Sequence, residues 1–318
     1  MAIKSLIPQR PIKLDIYDKK LIFYLSQNSR IPKKELSNQL RISLPRTLYK
    51  IQRLEQEILS PAPNINFPLL GIDSYAIFAQ DLSDEMCKKL LETSSCWFFD
   101  QSIGKYKYVM NVITNNIEEF CKKFLGNTHF DIYPIIRYIP DDYNPWKLDL
   151  KPNQIKNNNP IQLDSKDYKI LAHISKNTTD SLLEISNATG IDRQTIKERL
   201  DKLLKSNVIQ KFRYGINIFK IGFLVYILKL NVKPQEKEKI LPYLRANPYS
   251  GFIFEIINGY VMYFMPPSHN ELFEFTNKIQ SLDNTILIDA IQTTEVFKVE
   301  LVPDSVISIF EERVKKEN

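Results

Sequence analysis

The chain has 318 residues, 43% hydrophobic and 25% charged, enough to bury two or more small cores and too apolar for a disordered polymer. No run approaches the roughly 20 apolar residues that a membrane helix needs, and Pro8 breaks the opening Met1-Ala2-Ile3-Lys4-Ser5-Leu6-Ile7 too soon for a signal peptide, so a cytoplasmic protein with no membrane partner is expected. The net charge of +6 is unevenly spread: residues 1–60 hold 12 Lys/Arg against 5 Asp/Glu and residues 161–215 hold 10 against 7, whereas the blocks 61–160 and 216–318 are slightly acidic. Two separated basic segments suit phosphate-binding modules set among more neutral partner domains.

In chain order, the spacing predicts a first helix from an N-cap at Asp15, with a second acid at Asp18, to about Asn28, a residue that tolerates the left-handed C-cap. Its apolar stripe is Leu21, Ile22 and Leu25. A second helix opens at Pro32 and buries Leu36 and Leu40; a third, capped by Ser43, buries Thr47, Ile51 and Leu54. Leu44, Pro45, Arg46, Tyr49, Lys50 and Arg53 are left to face solvent. Helix, helix, short turn, helix is the helix-turn-helix pattern, here assigned to residues 1–62. Periodicity then changes. Strands are expected at Ile72–Ala79, Trp97–Ser102, Tyr106–Ile113 and Phe130–Tyr138, with helices at Asp84–Leu91 and Ile117–Leu125. This βαββαβ order defines a ferredoxin-like domain over 63–140, followed by an Asn-, Lys- and Pro-rich linker over 141–160.

Shifting the chain by 149 residues lays Leu14-Asp15 on Leu163-Asp164, Glu35 on Glu184, Ile42 on Ile191 and Leu54 on Leu203. An internal repeat of this length sets the architecture. The second helix-turn-helix, 161–215, starts at Asp164 with the stripe Ile170, Leu171 and Ile174 and runs to Asn177. It continues from a capping box of Ser181 and Glu184 with Ile185 and Ala188 inside. Asp192 caps its third helix, which buries Ile196, Leu200 and Leu203 and exposes Arg193, Gln194, Thr195, Lys197, Glu198 and Lys202. A second βαββαβ domain, 216–302, has strands at Phe223–Leu230, Phe252–Ile257, Tyr260–Met265 and Ile286–Val299 and helices at Gln235–Leu244 and Asn270–Ile279. Asp304–Lys316 forms a last helix within 303–318. The expected fold is α+β: two winged helix-turn-helix domains, each followed by a ferredoxin-like sandwich, in tandem.

Arg and Gln can reach base edges in a major groove, Lys and Arg neutralise phosphates, and hydroxyls bond either. Ser43, Pro45, Arg46, Tyr49, Lys50 and Arg53, with Arg193, Gln194, Thr195, Lys197 and Lys202, are therefore the candidate contacts to double-stranded DNA. A basic face can also be merely a solvated one; duplication and charge segregation favour DNA. Copy one is expected to supply most of the affinity, because Asp192, Glu198 and Asp201 dilute copy two. His129, His173 and His269 are scattered, and Cys87, Cys96 and Cys121 match no metal spacing and should be free buried thiols. With no phosphate loop or nucleophile elbow either, no catalytic residue, metal or cofactor is expected.

The first-helix strings Leu14-Asp-Ile-Tyr-Asp-Lys-Lys-Leu-Ile and Leu163-Asp-Ser-Lys-Asp-Tyr-Lys-Ile-Leu resemble the Lrp/AsnC (feast/famine) family of transcription regulators. So do the third helices Ile42 to Glu55 and Gly190 to Leu203, and Asn207-Val-Ile-Gln-Lys-Phe-Arg213 is similar to that family's link into its first strand. The resemblance covers nearly the whole chain, twice. It implies sandwich domains that pair, within one chain or between copies, and that take small-molecule effectors near a Gly-x-Tyr-Asp turn. Gly104-Lys105-Tyr106-Lys107 lacks the acid of that pattern and Gly259-Tyr260-Val261-Met262 keeps less. Gly104, Tyr106, Gly259 and Tyr260 are thus either effector contacts or ordinary hairpin residues. Two other readings remain: Tyr143-Asn144-Pro145-Trp146 resembles a string of siroheme decarboxylases, enzymes on an Lrp-like fold, and degenerate copies could serve as a non-DNA dimerisation module.

Overall fold

The computed structural model describes residues 11–140, 143–148 and 162–316; most of the linker assigned to 141–160 lies outside them. Each copy begins with three helices, α1 (Ile16–Gln27), α2 (Lys33–Leu40) and α3 (Leu44–Glu57) in the first and α6 (Ser165–Lys176), α7 (Leu182–Thr189) and α8 (Arg193–Lys205) in the second. A strand follows in each, β1 (Leu59–Ile65) and β6 (Ile209–Ile216). The rest of copy one is β2 (Ser74–Ala79), α4 (Asp84–Glu92), β3 (Cys96–Ile103), β4 (Tyr108–Ile113), α5 (Ile117–Phe124) and β5 (Phe130–Ile139). Copy two repeats it as β7 (Tyr226–Asn231), α9 (Lys237–Ala246), β8 (Ser250–Ile256), β9 (Gly259–Phe264), α10 (His269–Leu282) and β10 (Leu287–Val299), and α11 (Asp304–Lys316) ends the chain.

The chain folds as two units that cut across the repeat: one gathers 13–66, 152–217 and 301–318, the other 67–151 and 218–300 together with 1–12. In the second of these, each half's four strands order as in a ferredoxin-like sheet, and the halves join edge to edge. β5 pairs antiparallel with β8, and β10 with β3, which closes an eight-stranded ring. The pairing expected of the two sandwich domains is thus made within the chain. Alternation along the strands sends Ile77, Met110 and Val112 toward Cys87 and Leu90 of α4 and Phe120 and Phe124 of α5. In copy two Leu228, Leu230, Met262 and Phe264 face Ile240 and Leu244 of α9 and Phe275 and Ile279 of α10. On the opposite faces the halves meet through aromatic rings: Trp97 lies on Tyr138 at 6.0 Å and edge-on to Phe254 at 6.2 Å, and Phe98 touches Phe252 and Tyr263. Cys87, Cys96 and Cys121 are free and buried, and burial pushes the Cys96 thiol up to about 12.

In the other unit the two helix-turn-helix copies interlock. β1 and β6 form a two-stranded antiparallel ribbon, with Pro61 opposite Tyr214 and Pro63 opposite Phe212. The two prolines share one parity, the non-hydrogen-bonded one, so neither deprives the ribbon of a donor. β6 packs on α1 of the other copy and β1 on α6. Arg30 adds a side-chain tie, donating to the carbonyls of Thr178 (3.1 Å) and Asp180 (2.6 Å).

Local signals are accurate at most helix starts: Asp15, Ser43, Asp164, Ser181 and Asp192 all cap as their spacing requires. Neither Asn28 nor Asn177 adopts the expected left-handed C-cap: Asn28 is extended (φ −153°, ψ 104°), and Asn177 (φ −131°, ψ 64°) is neither left-handed nor fully extended. The left-handed residues lie one helix later, at Arg41 (φ 55°) and Gly190 (φ 71°), where the chain turns sharply into α3 and α8. Ala188, expected inside, is exposed.

Gly104 and Gly259 close the two sandwich hairpins at φ 134° and 138°, conformations that side chains resist. A Cβ at Gly104 meets nothing within 4 Å, whereas at Gly259 it would lie 1.8 Å from the Leu230 carbonyl oxygen. Gly104→Ala should cost about 1 kcal/mol of stability, and Gly259→Ala at least ~2 kcal/mol more. Urea unfolding of the two variants checks the order.

Candidate nucleic-acid interface

The N-terminal acids of α1 and α6 do two jobs. Asp15 accepts the Asp18 N–H at 2.8 Å while Asp18 accepts the Asp15 N–H at 3.0 Å, a reciprocal box that satisfies free donors of the first helical turn. Asp164 and Asp167 repeat it at 3.1 and 3.2 Å. The same carboxylates hold the third helix. Lys50 Nζ lies 2.7 Å from Asp15 and 2.9 Å from Asp18, and Arg53 pairs with Asp18 at 2.7 Å. In copy two Arg199 bonds Asp164 (2.6 Å) and Asp167 (3.1 Å), and Lys202 reaches Asp167 at 2.9 Å and the Gln162 carbonyl at 2.9 Å. The arrangement is conserved in space with Lys and Arg exchanged.

This corrects part of the expected interface. Lys50 does not face solvent: it is 6% exposed and fully engaged, and Arg53 and Lys202 are half-buried in the same clamp. Thr47, Lys50, Ile51 and Leu54 follow the i, i+3, i+4, i+7 stripe of α3, so position rather than charge decides where Lys50 points. Arg199, which sequence reasoning left out, belongs to the clamp as the counterpart of Lys50. The signal was available: the acid pair 15/18 recurs as 164/167, opposite cation pairs 50/53 and 199/202.

Ser43 and Thr195 are largely spent on capping. The Ser43 hydroxyl accepts the Arg46 N–H at 3.4 Å, and Thr195 donates to Asp192 at 2.5 Å. Exposed on α3 are Leu44, Pro45, Arg46, Leu48, Tyr49, Gln52, Glu55 and Gln56; on α8 they are Arg193, Gln194, Lys197, Glu198, Asp201 and Lys205. The Arg46 guanidinium lies 5.1 Å from the Tyr17 ring centroid, and Gln194 donates to Glu198 at 2.8 Å. Each face stands on a helix whose opposite side is locked by the clamp.

The residues offered as effector contacts behave differently in the two halves. Tyr106 is buried and donates to Asp131, which also accepts from Tyr133 at 3.3 Å and has Lys105 at 4.0 Å. Tyr260 points to the helix side of its sheet and donates to the Lys237 carbonyl at 3.1 Å. Among the described residues no group of three or more His, Cys, Asp or Glu is placed to hold a metal ion, and no helix is long and apolar enough to cross a membrane.

Burial alone would raise the Asp15 carboxyl, but the Lys50 ammonium and the Asp18 N–H outweigh it and hold the group down at about 2. A depressed folded-state pKa adds stability above the unfolded value near 3.9 that is lost as pH falls toward 2. Asp15→Asn keeps a capping side chain but loses the charge. Its deficit in thermal unfolding should be present at pH 5 and vanish near pH 2; a deficit independent of pH would mean the clamp is not electrostatic.

Residues 14–57 and 163–210 match a family model described as winged helix-turn-helix DNA-binding. The chain is 30% identical over 141 residues to the HTH-type transcriptional regulator FL11 of Pyrococcus furiosus, covering 43% of this chain and 91% of the relative. It is 27% identical over 143 residues to an uncharacterised HTH-type transcriptional regulator of Pyrococcus abyssi, covering 45% of this chain and 89% of that one. These relatives correspond to about half of this chain. The fold of the whole chain is shared with a solved siroheme decarboxylase, NirDL, at a TM-score of 0.57 and 11% identity, covering 94% of this chain and 99% of that one. Capped and clamped helix-turn-helix units, paired βαββαβ sheets and the match to nearly the full length of FL11 place the chain in the Lrp/AsnC family of helix-turn-helix regulators, as a tandem duplication.

Proposed function

We propose that the chain is a sequence-specific DNA-binding transcriptional regulator whose two unequal recognition helices, α3 and α8, read an asymmetric site. The observation that carries this is the pair of outward faces left after the clamp is satisfied. Arg46 with Pro45 and Tyr49, and Arg193 with Gln194 and Lys197, stand at the N-terminal ends of the third helices, the part of a helix-turn-helix that enters the major groove, with Ser43 and Thr195 beside them engaged in capping. Because both units lie in one chain, no second copy is required to present two of them. Of the residues offered as effector contacts, Tyr106 is the one through which a small molecule could act, since its partner Asp131 is partly exposed beside Lys105.

The fold shared with a siroheme decarboxylase supports a second reading, an enzyme. Its Tyr143-Asn144-Pro145-Trp146 string is occupied with packing: the Tyr143 hydroxyl donates to the Met265 carbonyl at 3.5 Å and the Trp146 ring lies against Phe223. A tetrapyrrole absorption band in the purified protein would favour that reading.

Binding to DNA measured across salt concentrations tests the regulator. Arg46→Ala and Arg193→Ala should each weaken binding and reduce the slope of log K against log salt by about 0.9 if the side chain neutralises one phosphate. Lys50→Met should lower stability by about 2 kcal/mol, since it leaves the buried Asp18 with Arg53 alone and Asp15 without a cation, with the slope intact. A slope that falls for Lys50→Met and not for Arg46→Ala would reverse the assignment.

A further inference from the structure

The outward faces of α3 and α8 occupy equivalent places in the repeat but present opposite chemistry. On α3, Leu44, Leu48 and Tyr49 are 38%, 46% and 66% exposed. Their counterparts at a spacing of 149 residues are Arg193, Lys197 and Glu198, all charged and all exposed. Since α8 builds the same helix with the same clamp using charged residues, folding does not demand apolar ones at these positions. The apolar cluster is surplus to the core, and holding it in water is unfavourable.

Its surroundings indicate what covers it. Leu44 is the first residue of α3 and Leu48 follows one turn later, so the cluster lies at the end of the helix that a helix-turn-helix points at base edges. Exposed Arg41 and Arg46 flank it, and the first 60 residues carry a net charge of +7, which suits a polyanion. Among the base edges of a major groove, the C5-methyl of thymine is the apolar group.

Resting on the DNA-binding reading above, we infer that α3 recognises thymine by its methyl group, through Leu44, Leu48 and Tyr49, while α8 reads its half of the site by hydrogen bonds. Arg193, Gln194 and Lys197 donate to purine acceptors, and Glu198 accepts from cytosine or adenine amino groups. One half of the binding site is therefore thymine-dependent and the other is not. The two halves differ in the kind of contact and not only in base order.

The test uses the full-length chain. A preferred duplex is selected from a random pool, then resynthesised with deoxyuridine in place of thymine in each half in turn, which keeps base pairing and removes only the methyl. Affinity should fall roughly fourfold for each contacted methyl, equivalent to ~0.8 kcal/mol per buried apolar carbon, in one half and stay unchanged in the other. The double variant Leu48→Lys, Tyr49→Glu, which installs the α8 residues at exposed positions, should bind the thymine duplex more weakly and lose its sensitivity to deoxyuridine. Tight binding to the selected duplex with no deoxyuridine effect in either half overturns the methyl assignment and leaves DNA binding standing. No duplex bound above background removes both. A double variant that binds DNA and discriminates as before, but changes mass by light scattering, overturns the assignment by making the cluster a protein contact.

Discussion

A four-stranded βαββαβ sheet has two edges, each a row of unpaired backbone donors and acceptors that must be covered or will recruit another strand. In this chain the four edges of two such sheets satisfy one another: β5 takes β8, and β10 takes β3. The pairing is reciprocal, the fourth strand of each half meeting the second strand of the other, so one geometric solution is used twice and the ring closes with no free edge. The aromatic layer of Trp97, Tyr138, Phe252 and Phe254 lies on the face that this closure turns inward. The helix-turn-helix unit repeats the principle on a smaller scale. β1 and β6 would each be an isolated strand in a lone copy, and each gains both a partner and a helix to lie on from the other copy.

The acid boxes of α1 and α6 show how a surface is made specific by what is placed beneath it. Asp15 and Asp18 anchor the start of one helix and the underside of another, so the orientation of α3 depends on a buried carboxylate, Asp18, and a half-exposed one, Asp15. The exchange of Lys50/Arg53 for Arg199/Lys202 indicates that total charge and reach matter there more than the identity of either cation. Cations committed inward are subtracted from those available to phosphates, and the outward faces are less basic than their sequences suggest.

Much of this was legible in the sequence, and the pattern of what was not is instructive. Capping residues could be placed because the bond they make is to an N–H three positions away. The strand and helix order of the sandwiches followed from periodicity and from Gly104 and Gly259. β1 was hidden because Pro61 and Pro63 read as strand breakers until the partner is known, and that partner lies about 150 residues away. Lys50 was misplaced because charge was allowed to outweigh its position on the buried stripe. Asn28 and Asn177 have the right chemistry for a left-handed cap, but neither takes it; at Asn28 a tertiary contact, the Ser29 N–H bonded to the Phe212 carbonyl, draws the chain onward in an extended form.

Closing the sheets within one chain has a consequence for inheritance. In a symmetric homodimer every substitution appears on both sides, so a change that improves one recognition face alters the other identically. Here Tyr49 and Glu198 occupy equivalent places but are separate codons. Each face can change independently while the strands that bind the halves together hold their geometry constant. The tandem chain thereby frees its two third helices from the two-fold symmetry that its scaffold still obeys.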